Sequence, residues 1–191
     1  YVTTYSGLFR YNMNDLVEVG GKFYNTPTVH MVSKVNGIVS MTGEKLYEPQ
    51  FIDAVHKAEE LMDIKTKFFV GFADVRESKY HFYYEFEDEK IDQETANEFT
   101  KVVDRKLQEI NNEYESKRAS FRLKAPQAHI LLSNAYSRFK TACLRDGLRD
   151  GQFKFNLLMQ DDKRRRKFDQ IERRETLSDK IMEWADNIDT R

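Results

Sequence analysis

The sequence predicts an α+β fold, a small mixed sheet covered by helices, and two periodicities and their order predict it. Apolar residues suit strands over Lys67 to Ala73 and Lys79 to Phe86, whereas over 48–63 and from Asp92 onward they recur at three- and four-residue spacing. The segments follow one another as strand, helix, hairpin, helix, strand, helix, which a small helix-covered sheet accommodates.

Each element has a local justification. Residues 1–35 hold short strand-like runs, Val2 to Tyr5, Leu16 to Val19 and Thr28 to Val32, punctuated by Gly20-Gly21, Asn25 and Pro27. A short β run at Ile38 to Met41 and a turn at Thr42-Gly43 lead to a helix opened by Glu48-Pro49. Proline suits that first turn because its missing N–H would have no intrahelical partner. Phe51, Ile52, Val55, Ala58, Glu59 and Met62 form the stripe of this helix. In the hairpin that follows, His81, Tyr83 and Glu85 face one side, and Tyr80, Phe82, Tyr84 and Phe86 the other. Asp92 caps a long helix carrying Ala96, Phe99, Val103, Leu107, Ile110 and Tyr114 on one stripe. A strand at Ala128 to Leu132 precedes a short helix through Tyr136, Phe139 and Cys143, which Gly147 ends. From Asp161 the chain reads as a charged helix with a sparse seam of Phe168, Ile171, Leu177, Ile181 and Trp184.

Composition narrows the function. Lys+Arg number 31 against 32 Asp+Glu in 191 residues, for a net charge of −1, so a basic nucleic-acid domain is excluded. With 40% hydrophobic residues, 14 Phe and 10 Tyr, the chain can build a core. No apolar run approaches the roughly 20 residues of a membrane helix, and the first residues do not show the basic-then-apolar pattern expected of a signal peptide. The single Cys143 removes a disulfide framework and any cysteine-cluster zinc site. We therefore expect a cytoplasmic protein without nucleic-acid or membrane partners. The start at Tyr1, without methionine and in strand-like sequence, suggests a piece of something longer.

Few side chains suggest chemistry on pattern alone. His30, His56, His81 and His129 lack zinc-ligand spacing and have no clustered acids beside them. Cys143 sits where a helix expects a small core hydrophobe. Lys163 to Lys167 is flanked by Asp161, Asp162, Asp169 and Glu172 and reads as a solvated helix face.

The informative string is Gly7-Leu8-Phe9-Arg10-Tyr11-Asn12-Met13-Asn14-Asp15, followed by Val17-Glu18-Val19, Phe23-Tyr24-Asn25 and Pro27. It resembles the auxin-responsive acyl-acid amido synthetases, the Gretchen Hagen family, whose pattern runs G-L-Y-R-Y-x-x-G-D-x-x-x-V and then F-x-N-x-x-P. That family lies within the adenylate-forming superfamily. The likeness continues through Val32 to Asn36, at the superfamily's hinge, and through Ser40 to Glu48, similar to the family's S-I-x-x-D-K-T-x-E. Gly151-Gln152-Phe153-Lys154 resembles its G-Q-Y-K-T-P-R. The chain departs from the pattern at Asn14, where the family has glycine, and at Phe155-Asn156-Leu157, which replaces Thr-Pro-Arg.

The resemblance implies a division of labour. Residues 1–35 would end the large adenylating domain, 36–160 would be the mobile C-terminal lid, and 161–191 a charged helix without counterpart. ATP and Mg would be the cofactors, and a small carboxylic acid and an amine, an amino acid first, the partners. Asp15 would hold the ribose hydroxyls, since a carboxylate accepts charge-assisted bonds from that pair. Lys34 would reach the nucleotide from the hinge, and Gln152 would hold the loop or the nucleotide. Lys154 would be catalytic, stabilising negative charge as pyrophosphate leaves. Lys45 and Glu48 would position the turn and helix beside the hinge. Neither Thr4-Tyr5-Ser6-Gly7 nor Ser40-Met41-Thr42-Gly43 has the glycine density of a triphosphate loop, so that loop, the acyl pocket and most contacts to ATP and Mg are expected in the large domain. An acyl-CoA ligase forming a thioester, and a non-catalytic α+β interaction module, are the alternatives.

Overall fold

The computed structural model describes residues 1–11, 13, 15–34, 37–147, 153 and 155–172. Strands β1 (Asp15–Phe23) and β2 (Thr26–Lys34) form an antiparallel hairpin of largely exposed residues. A two-residue pair, β3 (Ile38–Val39) with β4 (Leu46–Tyr47), then leads into α1 (Glu48–Met62). The rest is built on a four-stranded sheet of β5 (Thr66–Asp74), β6 (Lys79–Phe86), β7 (Gln127–Ile130) and β8 (Leu158–Met159), in the order β7-β6-β5-β8. The central pair is antiparallel, and both outer strands join it in parallel.

Side-chain alternation along the central pair creates two cores. Phe69 and Ala73 of β5 and Tyr80, Phe82, Tyr84 and Phe86 of β6 face one side. There they meet Phe51, Val55 and Ala58 of α1 and Phe99, Val103 and Leu107 of α2 (Gln93–Ile110). Val70, Phe72 and Tyr83 face the other side, against Ala135 and Phe139 of α4 (Ala135–Arg145) and Phe168 of α5 (Asp162–Asp169). Phe51, Phe72, Phe82, Phe99, Phe139 and Phe168 are buried to within 2% of completely, each contributing about 2–3 kcal/mol through loss of apolar contact with water. The expected helix-covered sheet is present, with the hairpin faces as expected.

Two helices differ from expectation. The helix opened by Asp92, whose side chain accepts from Thr95 N at 2.7 Å, ends at Ile110, and α3 (Asn112–Ala119) starts afresh. Asn111 is extended at the break; its amide donates to the Lys45 carbonyl and to Gln50 Oε1, both at 2.9 Å, while its Oδ1 accepts from Tyr114 N. The break lets Tyr114 and Arg118 fold back on the buried Asp104, at 2.7 Å to the hydroxyl and 2.9 Å to the guanidinium. A continuous helix would hold Tyr114 about 15 Å along the axis from Asp104. The helix from Asp161 is also shorter than its periodicity suggested. Asp161 caps it, it ends at Asp169, and Glu172 pairs with Leu131 as an isolated bridge. The remainder of that expected seam, Leu177 to Trp184, lies outside the described residues.

Gly71 is where α1 and β8 close on the central strand. A Cβ there would lie 3.0 Å from Leu158 Cδ1 and 3.2 Å from the Phe51 ring. Gly71→Ala is expected to lower stability by about 1–3 kcal/mol through overpacking, measured by urea unfolding. An unchanged midpoint would show that this contact is loose.

Candidate functional site

The first motif folds into a small closed loop before β1. Val2 and Tyr11 exchange backbone hydrogen bonds of 2.9 Å, Thr4 N donates to the Leu8 carbonyl, and Gly7 takes a positive φ of 98°. Beyond it, the hairpin register sets Asp15 directly opposite Lys34. The two candidate nucleotide-binding residues of this part are thus brought together at the open end of one ladder, with Asp15 half-buried.

The second motif is a structural lock. Glu44 is fully buried, and its carboxylate accepts from Met41 N at 3.1 Å, Thr42 N at 2.8 Å, the Thr42 hydroxyl at 2.7 Å and the Tyr80 hydroxyl at 2.9 Å. Burial pushes this carboxyl up, but the Thr42 and Met41 donors outweigh it and leave it below its ordinary value. Sequence reasoning gave Glu44 no role, because the partner that reveals it, Tyr80, lies on a strand 36 residues away. Lys45 donates its backbone N–H to Glu113, and Glu48 accepts from the backbone of Leu157 and Leu158. Those contacts suit positioning: Glu48 joins the start of α1 to the segment entering β8. Burial nonetheless raises the Glu48 carboxyl, despite those backbone bonds.

Gln152 and Lys154 lie outside the described residues, but their neighbours are anchored. Phe153 packs against Tyr136 and Phe139, with ring centroids 6.0 and 6.1 Å away. Phe155 lies 5.6 Å from Phe68 and 5.4 Å from Phe139. Two residues later, the Leu157 carbonyl accepts from Gly71 N at 2.7 Å. Aromatic packing and a sheet bond therefore hold both sides of position 154. The two phenylalanines were not legible as anchors because the cluster receiving them is assembled from β5, α4 and α5.

The second face of the sheet carries polar groups that spacing did not reveal. Glu85 accepts from Asn134 N at 2.8 Å and Ala135 N at 2.9 Å, capping α4 from β6. Asp74 accepts from Arg165 at 2.9 Å and the Tyr83 hydroxyl donates to Asp169 at 2.5 Å, clamping α5. Arg165 therefore turns inward, correcting the solvated reading of the Lys163–Lys167 run. Lys167 pairs with Asp146, and Lys163 and Arg166 line an open cavity of about 660 Å³ with Arg138 and Arg145. His56, His81 and His129 also have acids beside them, contrary to expectation. His56 meets Glu59 at 3.0 Å, and His81 Nδ1 lies 2.9 Å from His129 Nε2, whose Nδ1 lies 2.6 Å from Glu172. Burial, with the charges of His129 and Arg165, pushes His81 down to about 4, so its imidazole is neutral at pH 7. Cys143 is buried in this face, as its helix position suggested, and burial raises its thiol.

Comparison with known proteins adds a family to this geometry. A model described as the GH3 family C-terminal domain matches residues 49–163, and one described as the GH3 family central domain matches residues 1–34. The indole-3-acetic acid-amido synthetase GH3.15 of Arabidopsis thaliana is 34% identical over 62 residues, 32% of this chain and 10% of its own length. The probable indole-3-acetic acid-amido synthetase GH3.7 of Oryza sativa subsp. japonica is 34% identical over 59 residues, 31% of this chain and 10% of its own. Among solved structures, GH3.15 acyl acid amido synthetase superposes with a TM-score of 0.70 at 20% identity, over 90% of this chain and 32% of that one. AtGH3.15 acyl acid amido synthetase in complex with 2,4-DB gives 0.69 at 21% identity, with the same coverage. The chain thus spans about a third of the solved proteins it resembles, and its fold is theirs over that third.

Glu44 and Glu59 both titrate below their ordinary 4.5, because hydrogen bonds to the charged form outweigh burial. A depressed carboxyl stabilises the fold fully above its unfolded value and loses that contribution as pH falls through the folded one. Glu44→Gln, which faces Thr42 and Met41 donors with an amide, is expected to cost about 2–3 kcal/mol at neutral pH. The cost should shrink at a pH far enough below 4.5 for wild-type Glu44 to be protonated as well. Urea unfolding at both pH values checks this, and a cost independent of pH would contradict it.

Proposed function

Since the chain belongs to the GH3 family, with the family's C-terminal domain matching residues 49–163, we propose that it is the C-terminal portion of an ATP-dependent acyl-acid amido synthetase. The whole enzyme would activate a small carboxylic acid as its adenylate and pass the acyl group to an amine, an amino acid by our reading. One observation carries this: the central-domain match, 1–34, contains Asp15 and Lys34, and the C-terminal match contains position 154 between two anchored phenylalanines. Residues 1–35 are on this reading the end of the large domain and 36–160 the lid, hinged near Lys34–Gly37. We give the charged segment 161–191 no part in the reaction.

The described residues suit part of the nucleotide. A half-buried carboxylate at Asp15, whose backbone register partner is Lys34, suits the acceptor role toward ribose hydroxyls that we give it. Among the described residues, no group of three ligand side chains gathers at Asp15, so we assign Mg to the remainder of the enzyme. ATP supplies the activated phosphorus that the substrate carboxylate attacks. Lys154, delivered by lid movement, stabilises the charge released with pyrophosphate, and Gln152 steadies its loop. The packing of Phe153 and Phe155 on the domain's own aromatic cluster supports delivery by whole-domain movement. No helix among the described residues is long and apolar enough to cross a membrane, and a cytoplasmic location, where ATP is supplied, is part of the proposal.

In the full-length enzyme, Lys154→Ala is expected to lower acid-dependent ATP–pyrophosphate exchange about 100-fold or more. Asp15→Ala should act mainly by raising KM for ATP. Wild-type exchange in both variants would refute these assignments.

A further inference from the structure

Three side chains that the proposed reaction leaves unused converge at the turn between β5 and β6. Asp74 ends β5, Glu77 lies in the turn and His81 is on β6; one ligand atom from each lies within 4.8 Å of the others. His81 is only 4% exposed, and its Nε2 has no hydrogen-bond partner, whereas buried imidazole nitrogens are ordinarily satisfied.

The neighbouring ring fixes what that nitrogen offers. The Glu172 carboxylate only accepts, so His129 Nδ1 donates to it across 2.6 Å. When His129 carries one proton, its Nε2 holds a lone pair and accepts from His81 Nδ1 at 2.9 Å. In the neutral imidazole this leaves His81 Nε2 as a lone pair, 3.9 Å from Glu77 Oε2. A buried lone pair facing carboxylate oxygens is satisfied by a cation between them.

We propose that His81 Nε2, Glu77 and Asp74 bind a divalent transition-metal ion of the zinc class, with His129 and Glu172 orienting the histidine ligand. The mixed nitrogen and oxygen donors favour such an ion over Mg or Ca, which prefer oxygen throughout. The ring nitrogen of His81 away from the ion meets His129 Nε2, as the second nitrogen of a zinc-bound histidine ordinarily meets an acceptor, and Glu172 in turn holds His129. The two cations already at the site set its terms. Arg165 holds Asp74 at 2.9 Å and stays as a clamp, leaving further lone-pair capacity on Oδ2. Lys79 sits 3.2 Å from Glu77 but also 3.3 Å from Gln127 Oε1, so it keeps a partner when half-exposed Glu77 turns to the metal. This site is independent of the adenylation reading.

The test is titration of the 191-residue chain with Zn²⁺, and with Co²⁺ followed by visible absorption. One saturable ion per chain is expected, with d–d bands of a nitrogen–oxygen site. Glu77→Gln, a change at an exposed position that leaves the fold intact by circular dichroism, should weaken binding at least about tenfold. Glu172→Gln should weaken it about 10–100-fold. His30→Gln should leave it unchanged. No saturable binding by the wild-type chain, or equal binding by wild type and Glu77→Gln, would overturn the site.

Discussion

Burial of β5 and β6 on both faces is the constraint on which the rest of the structure depends. A strand pair with one wet face needs one partner layer; this pair, with aromatic residues on each side, needs two. Phe69, Tyr80, Phe82, Tyr84 and Phe86 require α1 and α2, while Val70, Phe72 and Tyr83 require α4 and α5. Gly71 shows how tight the arrangement is, since Phe51 and Leu158 approach where a side chain would stand. The short outer strands follow from the same requirement: β7 and β8 bring the chain into place for α4 and α5.

Burying two faces also buries polar groups, and their partners connect the layers. Glu85 caps α4, Asp74 and Tyr83 hold α5, and Glu44 ties the turn before α1 to Tyr80 of β6. Each makes hydrogen bonds that offset loss of water. Phe155 thereby packs on the aromatic cluster under α4 and α5, and Leu157 and Leu158 meet Glu48 at the start of α1.

What could be read from the sequence was what local periodicity encodes. Helix α1, the β5–β6 hairpin with its two faces, β7 and α4 all repeat their apolar pattern over their own length. The break at Asn111 escaped because the stripe runs on through Tyr114, whereas its cause lies at Lys45 and Gln50, more than 60 residues away. Strand β8 has only two residues and so no period to detect. For the site, the Arg10–Asp15 string and Gly151–Lys154 were recognisable as a family pattern, and the family was the right one. The pairing of Asp15 with Lys34 needed the hairpin register, and the His81–His129–Glu172 chain needed three elements to meet.

The central functional claim is that two stretches far apart in sequence, around Asp15 and around Lys154, meet one nucleotide. Amide hydrogen exchange in the full-length enzyme, with and without a non-hydrolysable acyl-adenylate analogue, tests it most directly. The account predicts added protection in both stretches when the analogue is bound. Protection confined to the rest of the enzyme, with both stretches exchanging as in the free protein, would contradict it.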